Sequence, residues 1–365
     1  MKKVWIIGGI VAVLILAGVG LFLWKKDKAF TGYEVVREME GSDTATYVCV
    51  DKKLIRYGQE GARAIDKDGK LVWNITYSTM KNPVYSFCGS VMAMADVGAK
   101  TYLIADGTGI SQTFSTPYEI QAISVAKQGV IAVMMNAEDK DYIYLFDKEG
   151  KVLAEIETVV ARDGFPITLA LSEDGTKLVT SYTRIVDDEP VGCITFYNFG
   201  GVGKSYTRNL VGQFQYAGSM IPRLSFWDND TVAAVGEDVL ELFSMKEIPS
   251  EIAKKEIKNT IRSIAFGDYL CMISRGADGN EILEAYDKSG EIRMMKVITF
   301  PYVGFQTCGK DIVLYSYSGC EVYTVGKGLV FSGTFENGVR NLFTIGQNRY
   351  YLVEDKKERV IRLVH

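Results

Sequence analysis

The side chains best suited to bind a ligand stand at the starts of short apolar runs that recur along the chain. Three of these starts carry an arginine, and three carry a tyrosine one or two residues after a proline. The residues are Arg223, Arg262, Arg340, Tyr85, Tyr118 and Tyr302. A guanidinium group binds carboxylate or phosphate through two parallel hydrogen bonds, and aromatic rings add apolar contact. If the run starts converge, they predict an anion site with an aromatic lining; otherwise each arginine pairs with a neighbouring element or fills surface.

Residues for nucleophilic or metal-dependent catalysis are scarce. The only histidine is His365, the last residue, which excludes Ser-His-Asp and Cys-His triads and histidine-ligated metals. The six cysteines form no CxxC pair and lie mostly in apolar runs, so we expect buried free thiols, with a single disulfide as the alternative. We expect no metal and no cofactor. Carboxylate chemistry remains, with Asp163 or Asp187 as candidates and Arg223 and Arg262 as binders.

Two motifs look like ligand loops but lack essential residues. Residues 200–205 end like a phosphate-binding loop, yet Asn198 stands where that loop begins with glycine, so a glycine-rich turn is predicted. Acidic residues cluster at 138–141 and 187–189 without the alternating oxygen ligands and turn glycine of a calcium loop. These two clusters are expected to be solvated loop tips.

Short strands must position the candidate residues. Runs of four to seven residues, such as 46–50, 91–95 and 311–315, are rich in β-branched or aromatic side chains and are bounded by Gly, Asp, Asn or Lys. Hardly any helical periodicity follows residue 32. Dense strands without intervening helices predict an all-β fold.

Turns of one kind recur between these strands at a nearly constant interval. Four of them read Asp-x-x-Gly, and three equivalent positions continue the series. They end at Gly69, Gly109, Gly150 and Gly290, and lie near residues 199–201, 245–246 and 326–328. The interval of about 40–50 residues is the length of a propeller blade with four antiparallel strands. Most prolines also fall just before a new first strand, where a missing donor is tolerated.

The blade count depends on how the two ends of the chain meet. The tail supplies three strands, near 340–343, 350–353 and 360–363, while 33–38 is a strand without a neighbour. Pairing this strand onto the tail would complete eight blades and remove an exposed edge. We therefore predict an eight-bladed β-propeller over residues 33–365, closed by its terminal strands. Seven blades is the alternative if the long fourth unit or segment 246–258 has been misassigned.

The turn chemistry carries a resemblance to a known fold family. Residues 64–73, with Asp-x-x-Gly-Lys before an apolar and aromatic pair, resemble the blade repeat of quinoprotein-like and WD40-like propellers, as do residues 171–178. The whole layout resembles membrane-anchored propellers of unknown function from Gram-positive bacteria. The tryptophan motif that quinone-binding relatives repeat in every blade is present once, around Trp73, so the resemblance does not imply a quinone cofactor.

The N-terminal segment has the pattern of a membrane anchor. Residues 4–24 are uncharged and mostly aliphatic, and as a helix they would span about 31 Å, the thickness of a bilayer core. Residues 1–3 are then a short cytoplasmic tip and 25–32 a stalk. Lysines flank the span on both sides, so the orientation rests on its position near the N-terminus, which favours an extracytoplasmic domain.

Charge and the absence of a catalytic set lead to a functional prediction. The formal net charge is −4, but residues 1–28 contain five Lys and one Asp and so carry +4, which leaves −8 on the large domain; nucleic acid is therefore not an expected partner. We predict a non-enzymatic, membrane-tethered binding or scaffold module on the extracytoplasmic side. Its partner would be a membrane protein or a cell-envelope component. The alternative is an enzyme that acts on a sugar or anionic polymer in the propeller channel.

Overall fold

The computed structural model describes residues 29–365 except positions 43, 51, 139, 258, 309, 310 and 347. The predicted tip 1–3, the predicted span 4–24 and the first part of the predicted stalk lie outside the described residues. Within the part of the chain that is described, no helix combines the length and apolar character that crossing a bilayer requires.

The described chain folds into eight four-stranded antiparallel sheets, which we call blades and number 1–8 in chain order. Within each blade the strands are given from the innermost to the outermost. The first strand of the chain, β1 (Gly32–Glu40), belongs to the last blade. Blade 1 contains β2 (Thr46–Val50), β3 (Lys53–Tyr57), β4 (Gly61–Ile65) and β5 (Leu71–Thr76). Blade 2 contains β6 (Pro83–Cys88), β7 (Val91–Asp96), β8 (Thr101–Ala105) and β9 (Ser111–Ser115). Blade 3 contains β10 (Glu119–Val125), β11 (Ile131–Asn136), β12 (Asp141–Phe146) and β13 (Val152–Thr158).

The fourth and later blades follow the same order. Blade 4 contains β14 (Phe165–Leu171), β15 (Lys177–Val186), β16 (Glu189–Asn198) and β17 (Leu210–Ala217). Blade 5 contains β18 (Arg223–Phe226), β19 (Thr231–Val235), β20 (Val239–Ser244) and β21 (Ser250–Glu256). Blade 6 contains β22 (Thr260–Phe266), β23 (Tyr269–Arg275), β24 (Glu281–Asp287) and β25 (Ile292–Val297). Blade 7 contains β26 (Gly304–Cys308), β27 (Asp311–Tyr315), β28 (Gly319–Thr324) and β29 (Gly328–Thr334).

The eighth blade joins the two ends of the chain. It contains β30 (Asn341–Gly346), β31 (Arg349–Val353), β32 (Lys357–Val364) and, outermost, β1. Strand β1 runs antiparallel to β32 from Gly32 opposite Val364 to Glu40 opposite Lys357. This pairing confirms both the eight-bladed count and the closure by the terminal strands. The segment 246–258 supplies the outer strand β21, so the seven-bladed alternative is not needed.

The Asp-x-x-Gly turns connect the third and fourth strands of their blades. In blade 1 the backbone N–H groups of Asp68 and Lys70 each donate to Asp66 Oδ1 at 2.9 Å, and Gly69 N donates to Asp66 O. Gly69 has φ +73°, a left-handed conformation in which a Cβ is strained, so glycine is required there.

Eight separate hydrophobic clusters hold the ring together, one in each seam between neighbouring blades. The second strands are buried along most of their length because both faces of a blade pack against a neighbour. Strand β19, for example, is buried at all five of its positions. The core is therefore a ring of seams, which leaves the two flat faces of the disc free to carry loops.

The meander order places different loops on the two faces. We call the upper face the one with the connections between blades and the turns between second and third strands. The lower face carries the other two kinds of turn. The first described residues and the C-terminus both lie on the lower face, where the rings of Phe30 and His365 stack with centroids 4.5 Å apart.

The glycine-rich segment of blade 4 forms two short 3₁₀ turns, Gly203–Ser205 and Thr207–Asn209. A Cβ on Gly203 would meet Asn198 O at 1.5 Å, so this glycine allows the backbone to pass close to the end of β16. The Asn198 side chain accepts from Gly200 N and donates to Glu247 O. Strand β17 follows, in agreement with the predicted turn. One helical turn, α1 (Val160–Asp163), precedes blade 4.

Candidate functional site

The three predicted arginines all lie on the upper face, at or near the start of an innermost strand. Two of them bind the backbone of the next blade. Arg223 Nη2 donates to Ile261 O at 3.5 Å, and Arg340 donates to Ser42 O and Ala45 O at 2.6 and 3.2 Å. Arg262 is solvent-exposed. These contacts show that Arg223 and Arg340 join neighbouring blades through carbonyl oxygens.

The positive charges of two of the arginines affect the pKa of the same tyrosine, Tyr315. Burial raises the pKa of Tyr315, at the end of β27, and the positive charges of Arg262 and Arg340 partly oppose that rise. Arg262 also opposes the rise in the pKa of Tyr302, which burial and a hydrogen bond to Glu281 cause. The structure therefore brings Arg262 and Arg340 to opposite sides of blade 7. Convergence of all six residues on one bound anion stays a prediction.

The three predicted tyrosines line three separate cavities of the upper face. Tyr302 borders a cavity of about 370 Å³, where its hydroxyl donates to Glu281 at 2.6 Å. Tyr118 borders one of about 550 Å³, and its ring stacks on Tyr142 with centroids 4.7 Å apart. Tyr85 borders a third and larger cavity, of about 940 Å³. The last of these three cavities combines charged, aromatic and amide side chains.

We call this third space the seam cavity, because it opens on the upper face beside the seam between blades 8 and 1, the closing seam. Its walls come from the connection before β2, from β3, β4 and β5, and from the start of β6. The side chains that matter for its chemistry are Arg56, Arg63, Tyr57, Tyr85, Asn74, Gln59 and Glu60. Because strands supply most of the wall, the cavity is preformed.

Two arginines of the cavity bind one buried carboxylate. Glu358, on β32, has a side chain only 1% exposed, while those of Arg56 and Arg63 are about a quarter exposed. Arg63 Nη2 lies 2.9 Å from both carboxylate oxygens, and Arg56 Nη1 lies 3.3 Å from Oε1. Tyr47 also donates its hydroxyl to Oε1, at 3.0 Å. Such a charge needs these partners because an unpaired buried carboxylate is strongly disfavoured.

Strand register explains why these side chains meet. Tyr47, Arg56, Arg63 and Asn74 are paired in succession across the four strands of blade 1. Directly opposed residues of antiparallel strands project to the same face of the sheet, so this polar row forms one side of the blade. Arg63 also donates to Glu40 O at 3.0 Å, which links the row to the closing strand β1.

Tyrosines form the other side of the cavity. The rings of Tyr57 and Tyr85 lie 4.1 Å apart between centroids. The hydroxyl groups of Tyr85 and Tyr77 both donate to Gly58 O, at 2.9 and 2.7 Å, which fixes the rim of the cavity. Burial raises the pKa of Tyr57 to about 12, so this phenol is neutral at physiological pH. The tyrosines therefore offer rings and neutral hydroxyls rather than charge.

The carboxylates named for the enzymatic alternative lie in blade 4 and its approach. Burial raises the pKa of Asp163, but hydrogen bonds from Arg162 and from Val159 N outweigh that effect and leave it lowered. Asp187 lies at the exposed tip of the β15–β16 hairpin with φ +51°. A general acid needs a raised pKa, so Asp163 is poorly tuned for that role.

Possible metal ligands and thiols lie dispersed over the part of the chain that is described. Among those residues, no three His, Cys, Asp or Glu side chains cluster in a way that could hold a metal ion. The thiols of Cys49, Cys88, Cys193, Cys271 and Cys320 are free. Burial raises the pKa of the Cys193, Cys271 and Cys320 thiols, which keeps them in the unreactive protonated form.

Sequence reasoning missed the seam cavity, although one signal was available. Arg63 interrupts an otherwise apolar short strand, Arg56 follows two apolar residues in β3, and Glu358 lies near the start of the charged strand β32. Charged residues at inward strand positions need a partner. The sequence does not show which partner, because Arg56 and Glu358 are 302 positions apart.

This architecture defines the chain as an eight-bladed β-propeller with a cavity of about 940 Å³ beside its closing seam. Residues 26–363 match a family of unknown function (DUF5711), and the chain belongs to that family. The resemblance to propellers is thus confirmed at the level of the fold.

Solved structures agree with this assignment of the fold. The chain is similar to BamB from Moraxella catarrhalis, with 14% identity, 91% of this chain and 100% of that chain covered, and a TM-score of 0.55. It is also similar to a eukaryotic initiation factor, with 8% identity, 88% and 83% of the two chains covered, and a TM-score of 0.53. A search of curated proteins gave no match.

Proposed function

We propose that this protein is a non-enzymatic binding or scaffold module, tethered to a membrane through residues 4–24, which binds a protein or cell-envelope component on its upper face. The observation that carries the proposal is the seam cavity. It is large, preformed by strands, and lined by groups that bind ligands rather than transform them.

The chemistry of the cavity supports binding over catalysis. The buried carboxylate beside the cavity, Glu358, already accepts hydrogen bonds from two arginines and a tyrosine. A base or nucleophile needs a free lone pair directed at the substrate. The acid that does line the cavity, Glu60, is exposed at the rim. The enzymatic alternative is therefore not favoured.

The position of the chain ends supports a membrane tether on the lower face. Phe30 N donates to Val330 O, and Thr31 N to Val364 O, which fixes the start of the described chain on that side of the disc. A tether that joins there would direct the upper face, with the seam cavity, away from the bilayer. A stalk of about eight residues reaches at most roughly 28 Å, so the disc would stay near the membrane.

Crosslinking in living cells, followed by affinity purification of the full-length protein, tests the proposal. The wild type is compared with Arg56→Ala and with a control, Arg275→Ala, which removes another arginine of the upper face that is paired with one carboxylate. We expect one component to be retained by wild type and control and lost by Arg56→Ala. Turnover of an envelope polymer by the purified protein, abolished by a single carboxylate substitution, would contradict the proposal.

The side of the membrane requires a separate test. A cysteine introduced at Glu138, in an upper-face turn of blade 3, is exposed to reagents added outside intact cells only if the domain is extracytoplasmic. We expect this thiol to be labelled without cell lysis. Labelling that appears only after lysis would place the propeller in the cytoplasm.

A further inference from the structure

We propose that the seam cavity binds an anionic saccharide, meaning a sugar unit that carries a carboxylate or a phosphate group. This inference rests on the binding function proposed above and names the chemical class of its ligand. Three features of the cavity carry it: an excess of guanidinium charge, a mixed set of neutral hydrogen-bonding groups, and a fixed pair of aromatic rings.

The excess charge lies at Arg56 and Arg63. Two guanidinium groups face one buried carboxylate, Glu358, so one positive charge is left without a buried partner, because the acid that lines the cavity, Glu60, is exposed at the rim. Arg63 makes the stronger interaction with Glu358, because its Nη2 lies 2.9 Å from both carboxylate oxygens, whereas Arg56 makes a single contact of 3.3 Å. Arg56 therefore has the freer guanidinium group, and a ligand anion beside it would neutralise the excess.

The neutral polar groups favour a sugar over an acidic peptide. Asn74, Gln59 and Thr76 are exposed in the lining and can both donate and accept, as sugar hydroxyls do. Glu60 at the rim only accepts, so it would receive hydrogen bonds from sugar hydroxyls but would repel the many carboxylates of an acidic peptide. One anionic group surrounded by hydroxyls fits this arrangement.

The aromatic pair gives the site a fixed apolar wall. Tyr57 and Tyr85 come from neighbouring blades and lie 4.1 Å apart between ring centroids. The bond from the Tyr85 hydroxyl to Gly58 O holds its ring in place. Little side-chain entropy is then lost on binding, which makes the wall suitable for the apolar face of a sugar ring.

Calorimetric titration of the full-length protein in mild detergent tests the ligand class. The probes are a trisaccharide with a single uronate unit, its neutral counterpart with that carboxylate reduced, a sugar phosphate, and hexaglutamate. We expect the uronate or the sugar phosphate to bind at least tenfold more tightly than the neutral trisaccharide and hexaglutamate. The two anionic probes distinguish a carboxylate from a phosphate source. Tighter binding of hexaglutamate, or equal binding of all probes, would overturn the proposal.

Two substitutions are expected to change affinity in opposite directions. Arg56→Ala leaves Arg63 and Glu358 as a neutral pair, so binding of the anionic probe should weaken at least tenfold. Glu358→Gln removes the protein carboxylate that competes with the ligand anion for the two arginines, so binding of the anionic probe should tighten several-fold. Arg275→Ala is the control and should leave affinity unchanged. A purely structural role for Glu358 would give weaker binding, which contradicts the proposal; if Glu358→Gln does not fold, Arg56→Ala alone decides.

Failure of this inference can be told apart from failure of the proposed function. If no anionic probe binds but cells still yield a component that Arg56→Ala loses, the saccharide is wrong and the binding module stands. If the probes do not bind and nothing is captured, both proposals are wrong. Binding of a probe with the expected signs in Arg56→Ala and Glu358→Gln supports both.

Discussion

The seam between blades 4 and 5 and the closing seam between blades 8 and 1 are stabilised by different chemistry. In the former, Phe196, Phe214 and Phe243 pack with ring centroids 4.7–5.8 Å apart in a cluster of apolar side chains and aromatic rings. In the latter, a smaller apolar cluster adjoins the Glu358 network. The seam between blade 8, which contains both chain ends, and blade 1 thus uses charge, and the candidate site lies beside it.

The directional Glu358 network suits the closing seam because blade 8, on one side of this seam, is built from both ends of the chain. Apolar packing already favours one strand register, and an ion pair with two arginines adds a contact that is satisfied only in that arrangement. Outer pairs add to this: Glu38 binds Lys357 and Arg359 at 2.7 and 2.8 Å, and Glu34 binds Arg362 at 2.6 Å. These contacts align β1 on β32.

Removing an aromatic ring from the seam between blades 4 and 5 should have the largest effect. Phe243 is fully buried, so Phe243→Ala leaves a cavity between two neighbouring rings. We expect a loss of about 3–5 kcal/mol in the free energy of unfolding, measured by denaturant titration. Phe165→Ala is the control, since that ring is 59% exposed and should cost far less. Equal losses would show that this seam does not depend on aromatic packing.

Breaking the Glu358 network should cost somewhat less. Glu358→Ala leaves two arginines without their carboxylate, but both are about a quarter exposed and partly solvated. We expect a loss of about 2–3 kcal/mol, below the usual range for a fully buried pair. In the double variant Arg63→Met with Glu358→Leu, apolar contacts replace part of the network, so most of the loss should be recovered. A double variant as unstable as Glu358→Ala would mean that the carboxylate acts through something other than charge.

Much of the fold was accessible from the sequence because it is encoded locally. The Asp-x-x-Gly turns ending at Gly69, Gly109, Gly150 and Gly290 depend on a few neighbouring residues, and their left-handed glycines have the φ values that such turns require. The period of these turns therefore predicted the blades. The sequence also predicted the pairing of β1 with β32, because β1 had no neighbouring strand in the sequence and the C-terminal blade lacked a fourth strand.

The candidate site was less accessible because its members are brought together only by ring closure. The sequence places Arg223 and Arg340 correctly at strand starts, but it does not show that backbone carbonyls of the next blade receive their guanidinium groups. Arg56, Arg63 and Glu358 meet across blades 1 and 8, and no local pattern specifies that contact. Pairing between distant charges is a property of tertiary geometry.

The ion pairs of Glu38, on the outermost strand of blade 8, should contribute less to stability than the Glu358 network. Glu38→Ala removes the contacts to Lys357 and Arg359, but the side chains of Glu38 and Lys357 are nearly half exposed, so water and salt screen this carboxylate. We expect a smaller fall in the melting temperature than for Glu358→Ala, and one that disappears in 1 M salt, while the effect of Glu358→Ala persists. An effect of Glu38→Ala that resists salt would mean that the outer pairs, rather than the inner network, hold β1.

The smallest effects are expected from acid titration, which should distinguish a carboxylate with a lowered pKa, Asp287, from one with a raised pKa, Glu354. Burial raises the pKa of Asp287, in the blade 6 turn, but hydrogen bonds from Ser289, Glu291 N and Arg293 outweigh this and lower it to about 2. Its contribution to stability is present above its unfolded value near 4 and is lost as the pH falls through about 2. Asp287→Asn should therefore flatten the acid limb of a stability–pH curve.

Glu354 of the closing blade should behave in the opposite sense. Burial raises its pKa, although Arg359 partly opposes the rise. Its contribution is present at acid pH, below the unfolded value, and is lost as the pH increases through the raised value. The stability of Glu354→Gln relative to wild type should thus improve between pH 4 and pH 7. The same trend for Asp287→Asn and Glu354→Gln would contradict these assignments.

Site-specific photocrosslinking in living cells tests the central claim, that the upper face beside the closing seam is where this propeller binds. A photoreactive residue replaces Gln59 at the rim of the seam cavity or, as a control, Lys67 in the same blade on the lower face. We predict one discrete adduct from position 59 and none from position 67, with the adduct lost when Arg56→Ala is added. An adduct from position 67 alone, or one from position 59 that survives Arg56→Ala, would contradict the account.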